Sequence, residues 1–187
     1  MAVGEFGEHW AVHRQLIEPQ RASHLGERAL SLVPRLVDEG LLSHVKAEHG
    51  AWTEWELNVA GAKAPEFLAA ELPPRFMGLA ELCADIERVF EQRVTDFFFN
   101  TYPPYGGTKL HQDKIGEATI AIGLLGQGRA HILEPATDEV HTLLLQPGDA
   151  LHFVNTAGEE DRPKHMVRNV LAEPRVSFVA QLVSRRE

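Results

Sequence analysis

The sequence predicts an α+β fold, with helices in the first half buttressing one face of a β-sandwich of jelly-roll type built from the second half. Three observations predict it. Before residue 94 apolar residues recur at intervals of three and four; from residue 95 the chain breaks into short apolar runs separated by turn residues; and no internal repeat or low-complexity tract interrupts either half. With 187 residues, 44% hydrophobic and 24% charged, the chain is expected to form a single domain over 1–187 with a substantial core. Residues 1–93 are expected to supply mostly helical support and a substrate lid, and residues 94–187 the β core.

The elements follow in order. In GERALSLVPRLVDEGLLSHV, residues 26–45, Ala29, Leu32, Val33, Leu36 and Val37 form one stripe. This predicts one helix, or two short ones divided at Pro34, stopping at Gly40. AWTEWELNVAG, residues 51–61, concentrates Trp52 and Trp55 with Glu54 and Glu56. It reads either as the roof of a pocket for a small, cationic metabolite or as a packed β-hairpin. PPRFMGLAELCADIERVFEQ opens with prolines suited to a first helical turn, and Phe76, Leu79, Cys83, Ile86 and Phe90 then share a face, so this helix packs on a sheet. Eight strand candidates follow: TDFFFNTY, TKLHQD, ATIAIGLL, AHILEP, VHTLLLQ, ALHFVN, HMVRNVL and RVSFVAQLV. PGD at 147–149 reads as a tight turn, GEEDRPK at 158–164 as a polar loop, and Gly106 and Gly107 as turn residues without the strand-to-helix context of a phosphate loop.

Composition narrows the chemistry. Cys83, the one cysteine, excludes an intramolecular disulfide and a thiolate metal site, so any metal must be held by histidine and carboxylate. A net charge of −9 disfavours a broad phosphate-binding surface. No apolar run reaches the ~18 residues of a membrane span, and MAVGEFGEHW lacks the basic-then-apolar order of a signal peptide, so the expected location is cytoplasmic.

Within that frame His111-Gln-Asp113 stands out. On a strand, residues two apart leave the same face within ~7 Å of each other, so two ligands converge without rearrangement. About 0.4 such triplets are expected by chance in a chain with ten histidines, so the triplet needs a third ligand from elsewhere. His165, at the start of a strand after the polar loop, is that candidate; His131, His141 and His152 are the alternatives. Two histidines and a carboxylate with open positions make the facial triad of non-haem Fe(II) oxygenases. Arg175 opens RVSFVAQL among Val176, Phe178 and Val179, where a guanidinium is costly unless paired. A salt bridge to Glu173 or Glu134 would satisfy it. So would a dicarboxylate held bidentately, with Ser177 on the same face adding a hydrogen bond.

The ordered set Asn100-x-Tyr102, His111-x-Asp113, His165 and Arg175-x-Ser177 resembles the Fe(II)/2-oxoglutarate-dependent dioxygenases over about residues 72–183. LPPRFMGLAELCADI followed by DFFFNTYPPYGGTKLHQDK is similar to the AlkB-like branch, in which Asn-x-Tyr precedes the HxD by the same 11-residue step. The resemblance implies a double-stranded β-helix core, jelly-roll or cupin-like, with Fe(II) on His111, Asp113 and His165. It assigns 2-oxoglutarate contacts to Asn100, Tyr102 and Arg175, with O2 as the other co-substrate. It further implies oxidation of a C–H bond, by default hydroxylation, coupled to decarboxylation of 2-oxoglutarate to succinate. The last strand departs from the RxNxTxR of AlkB-like repair enzymes, with Ser177, Val179 and Gln181 at the later three positions. NTYPP and the Arg-x-Ser pair are similar instead to the isopenicillin-synthase-like and plant oxygenases, which act on small molecules. The expected substrate is therefore a small metabolite. An AlkB-like demethylase of alkylated nucleic acid and a non-enzymatic metal-binding β-barrel are the rivals.

Overall fold

A computed structural model describes residues 2–38, 42–46, 53–57, 73–113 and 116–185. In chain order the elements are β1 (Ala2–Phe6), β2 (Trp10–Arg14), α1 (Pro19–Asp38), β3 (Leu42–Lys46), β4 (Thr53–Leu57), α2 (Pro73–Phe90) and β5 (Gln92–Tyr102). They continue with β6 (Ala118–Leu125), β7 (Gly128–Glu134), β8 (Glu139–Leu145), β9 (Ala150–Val154), β10 (Lys164–Asn169) and β11 (Arg175–Ser184). An eight-stranded sheet runs β1-β2-β9-β6-β11-β5-β4-β3 and a three-stranded sheet runs β10-β7-β8, with antiparallel pairing throughout.

Two apolar clusters explain this layering. On the outer face of the large sheet, Leu25, Ala29 and Val33 of α1 and Leu79, Cys83 and Ile86 of α2 pack on Ile120, Ile122 and Phe178. Between the sheets, Trp10, Val12, Leu151 and Phe153 meet Ala130, Ile132, Leu143 and Val167. Central strands β6 and β11 are therefore covered on both sides, and they read as continuous apolar runs because neither face meets water. Cys83 is buried in the helix as expected, and burial, with Glu87 adding to it, pushes its thiol up to about 12.

Among its described residues the first half carries four short strands beside its two helices. The helix expected at 26–45 starts at Pro19, keeps Pro34 inside it and ends at Asp38; residues 42–46 are strand β3. The two apolar residues of this segment, Leu42 and Val45, fit a helical spacing of three, and pairing with β4 made it a strand instead. Of AWTEWELNVAG, residues 53–57 form the single strand β4, which pairs with β3 and β5. Gly40 and residues 51, 52 and 58–61 lie outside the described residues. Strands β1 and β2 were absent from the expected set, and they extend the sheet beyond β9.

The second half differs at one place. TKLHQD forms no regular strand; it runs beside β10 through two isolated bridges, Gly107 to Arg168 and His111 to His165. PGD turns as expected, with Gly148 at a φ of 91° and Asp149 N–H donating to Gln146 O at 3.0 Å. Any side chain at 148 would meet Ile17 O at 2.3 Å. The buried Asp149 carboxylate then accepts hydrogen bonds from Arg14, Gln15 N and Gln146 N, tying the turn to β2.

Candidate metal centre

His111 and His165 face each other across the mouth of the sandwich because their backbones bridge: His111 N–H donates to His165 O at 2.9 Å, and His165 N–H to His111 O at 2.7 Å. Asp113 follows two residues on. His111 Nε2 lies 3.8 Å from Asp113 Oδ1, and His165 Nε2 lies 3.7 Å from Asp113 Oδ2. One ligand atom from each of the three residues falls within 4.8 Å of the others. Two neutral imidazole nitrogens and a carboxylate oxygen suit a divalent iron, so this donor set fits the metal expected from the sequence.

The surroundings orient the ligands. His111 Nδ1 sits 2.8 Å from Lys109 O, and the tautomer that donates this hydrogen bond leaves Nε2 free as an acceptor toward a metal. The His165 ring stacks on Phe153 at 4.1 Å and 14°. His165 is 6% exposed, and burial lowers its pKa to about 4, with Asp113 opposing and His111 adding to the shift. It is therefore neutral at physiological pH, as a metal ligand must be. Gln112 lines the same cavity, and its amide donates to Glu159 O at 2.8 Å and Arg162 O at 2.7 Å. That tether pins the polar loop leading into His165 against the segment carrying Asp113.

The alternative third ligands sit elsewhere. His131 Nδ1 is 3.0 Å from Thr142 Oγ1, His141 packs on Trp10, and His152 lies against Phe90 and His13.

The four residues expected to hold a co-substrate occupy one face of the large sheet. The β5–β11 register pairs Tyr102 with Arg175 and Asn100 with Ser177, so all four leave the sheet on the same side. Asn100 and Tyr102 line a cavity of about 440 Å³ that also reaches His111, Asp113 and His165. Arg175 and Ser177 lie behind Tyr102: the guanidinium carbon is 4.7 Å from the ring centroid, and Ser177 Oγ donates to Tyr102 Oη at 3.4 Å. Arg175 is 3% exposed, and among the described residues its Nε and Nη1 have no hydrogen-bond partner. Among the described residues it makes no salt bridge to Glu173 or Glu134; Glu134 instead accepts from Trp10 Nε1 at 2.6 Å. A buried guanidinium with orphaned donors fits a carboxylate, so the site suits a dicarboxylate co-substrate.

Several contributors escape sequence reasoning. Phe153 looks like any strand phenylalanine. Gly128 is needed because a β-carbon there would sit 2.6 Å from Arg175 Nε, and only its place opposite that arginine reveals it. Thr108 Oγ1 accepts from Val167 N–H at 3.0 Å and fastens the segment before His111 to β10.

Solved structures with this architecture include a Pseudomonas putida prolyl-4-hydroxylase, with a TM-score of 0.55 and 18% identity over 96% of this chain and 95% of that one. OsALKBH1 has a TM-score of 0.59 and 13% identity over 95% of this chain and all of the other. At these identities the likeness shows the fold, a double-stranded β-helix core. No family model and no curated protein matches the chain.

Proposed function

We propose that this protein is an Fe(II)- and 2-oxoglutarate-dependent dioxygenase that hydroxylates a C–H bond of a small-molecule metabolite. The observation that carries the reading is a His111–Asp113–His165 ligand set on a cavity whose wall residue Tyr102 has a buried, unsatisfied Arg175 directly behind it. Either feature alone has an ordinary explanation; together they provide for a metal and a dicarboxylate.

When bound, iron with 2-oxoglutarate and O2 supplies C–H oxidation coupled to release of CO2 and succinate. His111, Asp113 and His165 would hold the metal on one side, leaving positions open toward the cavity. Asn100, Tyr102, Arg175 and Ser177 would hold 2-oxoglutarate, with Arg175 receiving the carboxylate remote from the metal. Phe98, Leu151 and Val179 present an apolar wall that excludes water from the reacting carbon. The volume falls in the range of small-molecule sites, roughly 300–1,000 Å³. Gln181, where AlkB-like repair enzymes carry arginine, removes a cation from this face and favours a metabolite over nucleic acid.

Anaerobic titration followed by exposure to O2 tests the reading. One Fe(II) per chain and succinate formation from 2-oxoglutarate are expected, both lost in His111→Ala and Asp113→Ala. Full iron occupancy in those variants would refute the ligand set, and iron binding without succinate would favour the metal-binding barrel. Formaldehyde release from a methylated oligonucleotide would decide for the nucleic-acid demethylase.

A further inference from the structure

The pocket face of the large sheet is electrostatically graded. Along β5 and β11 the cross-strand pairs run Tyr102–Arg175, Asn100–Ser177, Phe98–Val179 and Asp96–Gln181. At ~3.4 Å per residue, the six-residue step from Tyr102 to Asp96 spans about 20 Å. The buried cation therefore stands at one end of the ladder and a carboxylate at the other.

Asp96 and Gln181 both line the cavity that contains the ligand set. Among the described residues, the one hydrogen bond to the Asp96 carboxylate comes from the N–H of its own neighbour Phe97, at 2.8 Å. Among the described residues it has no ion pair. Although the residue is exposed at the cavity mouth, burial against the wall raises its carboxyl above the ordinary value, with the Phe97 N–H opposing. A carboxylate in that setting gains from a cation more than one in open water does. On this face β5 and β11 carry the buried Arg175 at one end and, beyond Asp96, the exposed Arg93, which pairs with Val183.

We infer that the outer end of this cavity is a cation subsite, where the substrate presents a protonated amine to the Asp96 carboxylate beside the Gln181 amide. Its apolar body then lies on Phe98, Val179 and Leu151, which brings a carbon between the two ends close to the His111–Asp113–His165 set. This rests on the oxygenase reading for its chemistry, and it names the substrate class as organic ammonium compounds.

Matched probes of one shape test the subsite: 4-phenylbutylammonium, 4-phenylbutanol and 4-phenylbutyrate, with binding to the full chain followed by ligand-detected NMR. The amine is expected to bind best. An ion pair this open to water is worth up to roughly fivefold in affinity, so Asp96→Asn should weaken the amine by about that factor and leave the alcohol unchanged. Asp96→Lys should move the preference to 4-phenylbutyrate. Thermal unfolding of each variant checks that the fold is retained, and Asp96 is exposed enough that it should be. An amine that binds no better than the alcohol, or an affinity unmoved in both variants, overturns the subsite. Succinate formation measured separately keeps the two readings apart: succinate without amine selectivity overturns the subsite alone, and selectivity that depends on Asp96 without succinate overturns the oxygenase reading alone.

Discussion

Replacing Arg175 with leucine separates an oxygenase from a bare metal site. The side chain is 3% exposed, and two of its nitrogens are orphaned. Its one compensation among the described residues is the Tyr102 ring at 4.7 Å, and a desolvated cation–π contact contributes about 2 kcal/mol. Burying an unpaired charge costs more than that, so the ligand-free protein carries this arginine at a net loss. Leucine keeps an apolar side chain beside Gly128 while removing the charge. The ligand-free variant should therefore unfold at the same temperature as the parent or higher. Binding of 2-oxoglutarate should suffer heavily, because deleting one partner of a buried, hydrogen-bonded charge pair costs about 2–5 kcal/mol, roughly 30-fold to several thousand-fold in affinity. Fe(II) binding should be unchanged, since no ligand is touched. Arg175→Lys should recover part of the affinity, restoring charge without the two-pronged geometry. Calorimetric titration of 2-oxoglutarate, with scanning calorimetry of each variant, makes the measurement. Unchanged 2-oxoglutarate affinity in Arg175→Leu would refute the co-substrate site. A large loss of stability in the ligand-free variant would show that the arginine is structural.

Three further outcomes are expected. His165→Ala should abolish Fe(II) binding while His141→Ala and His152→Ala retain it, by metal analysis after desalting; the reverse pattern would move the third ligand to another strand. Gly128→Ala should push a methyl group to 2.6 Å from Arg175 Nε, displacing the guanidinium, so 2-oxoglutarate affinity should fall at least tenfold with iron occupancy intact. Burial holds both His165 and His152 at about 4 against an ordinary 6.5, so between those values the unfolded chain binds more protons than the folded one. Stability of the metal-free protein should thus be flat above pH 7 and decline as pH falls from 6.5 toward 4, by up to roughly 3 kcal/mol per histidine. Urea unfolding across that range checks the sign, and His152→Leu should flatten the slope.

The sequence by itself determined what depends on short spacing. Two ligands in His-x-Asp, the stripe of Leu79, Cys83 and Ile86, and the PGD turn are all set by neighbours within a turn or two, so period and residue type are enough to read them. It also carried the order of the ligand set, because His165 and Arg175 each sit where a strand begins. Only the tertiary structure decided the rest. Residues 42–46 became a strand through pairing with β4, an interaction the local apolar pattern does not encode. Segment 107–111 has no regular ladder, yet the bridge between His111 and His165 aligns the ligands, since backbone register across the sandwich sets that distance. The β5–β11 register put Arg175 behind Tyr102 and Asp96 beside Gln181; each residue is visible in the sequence, but which of them share a face and a cavity is fixed by how distant strands align.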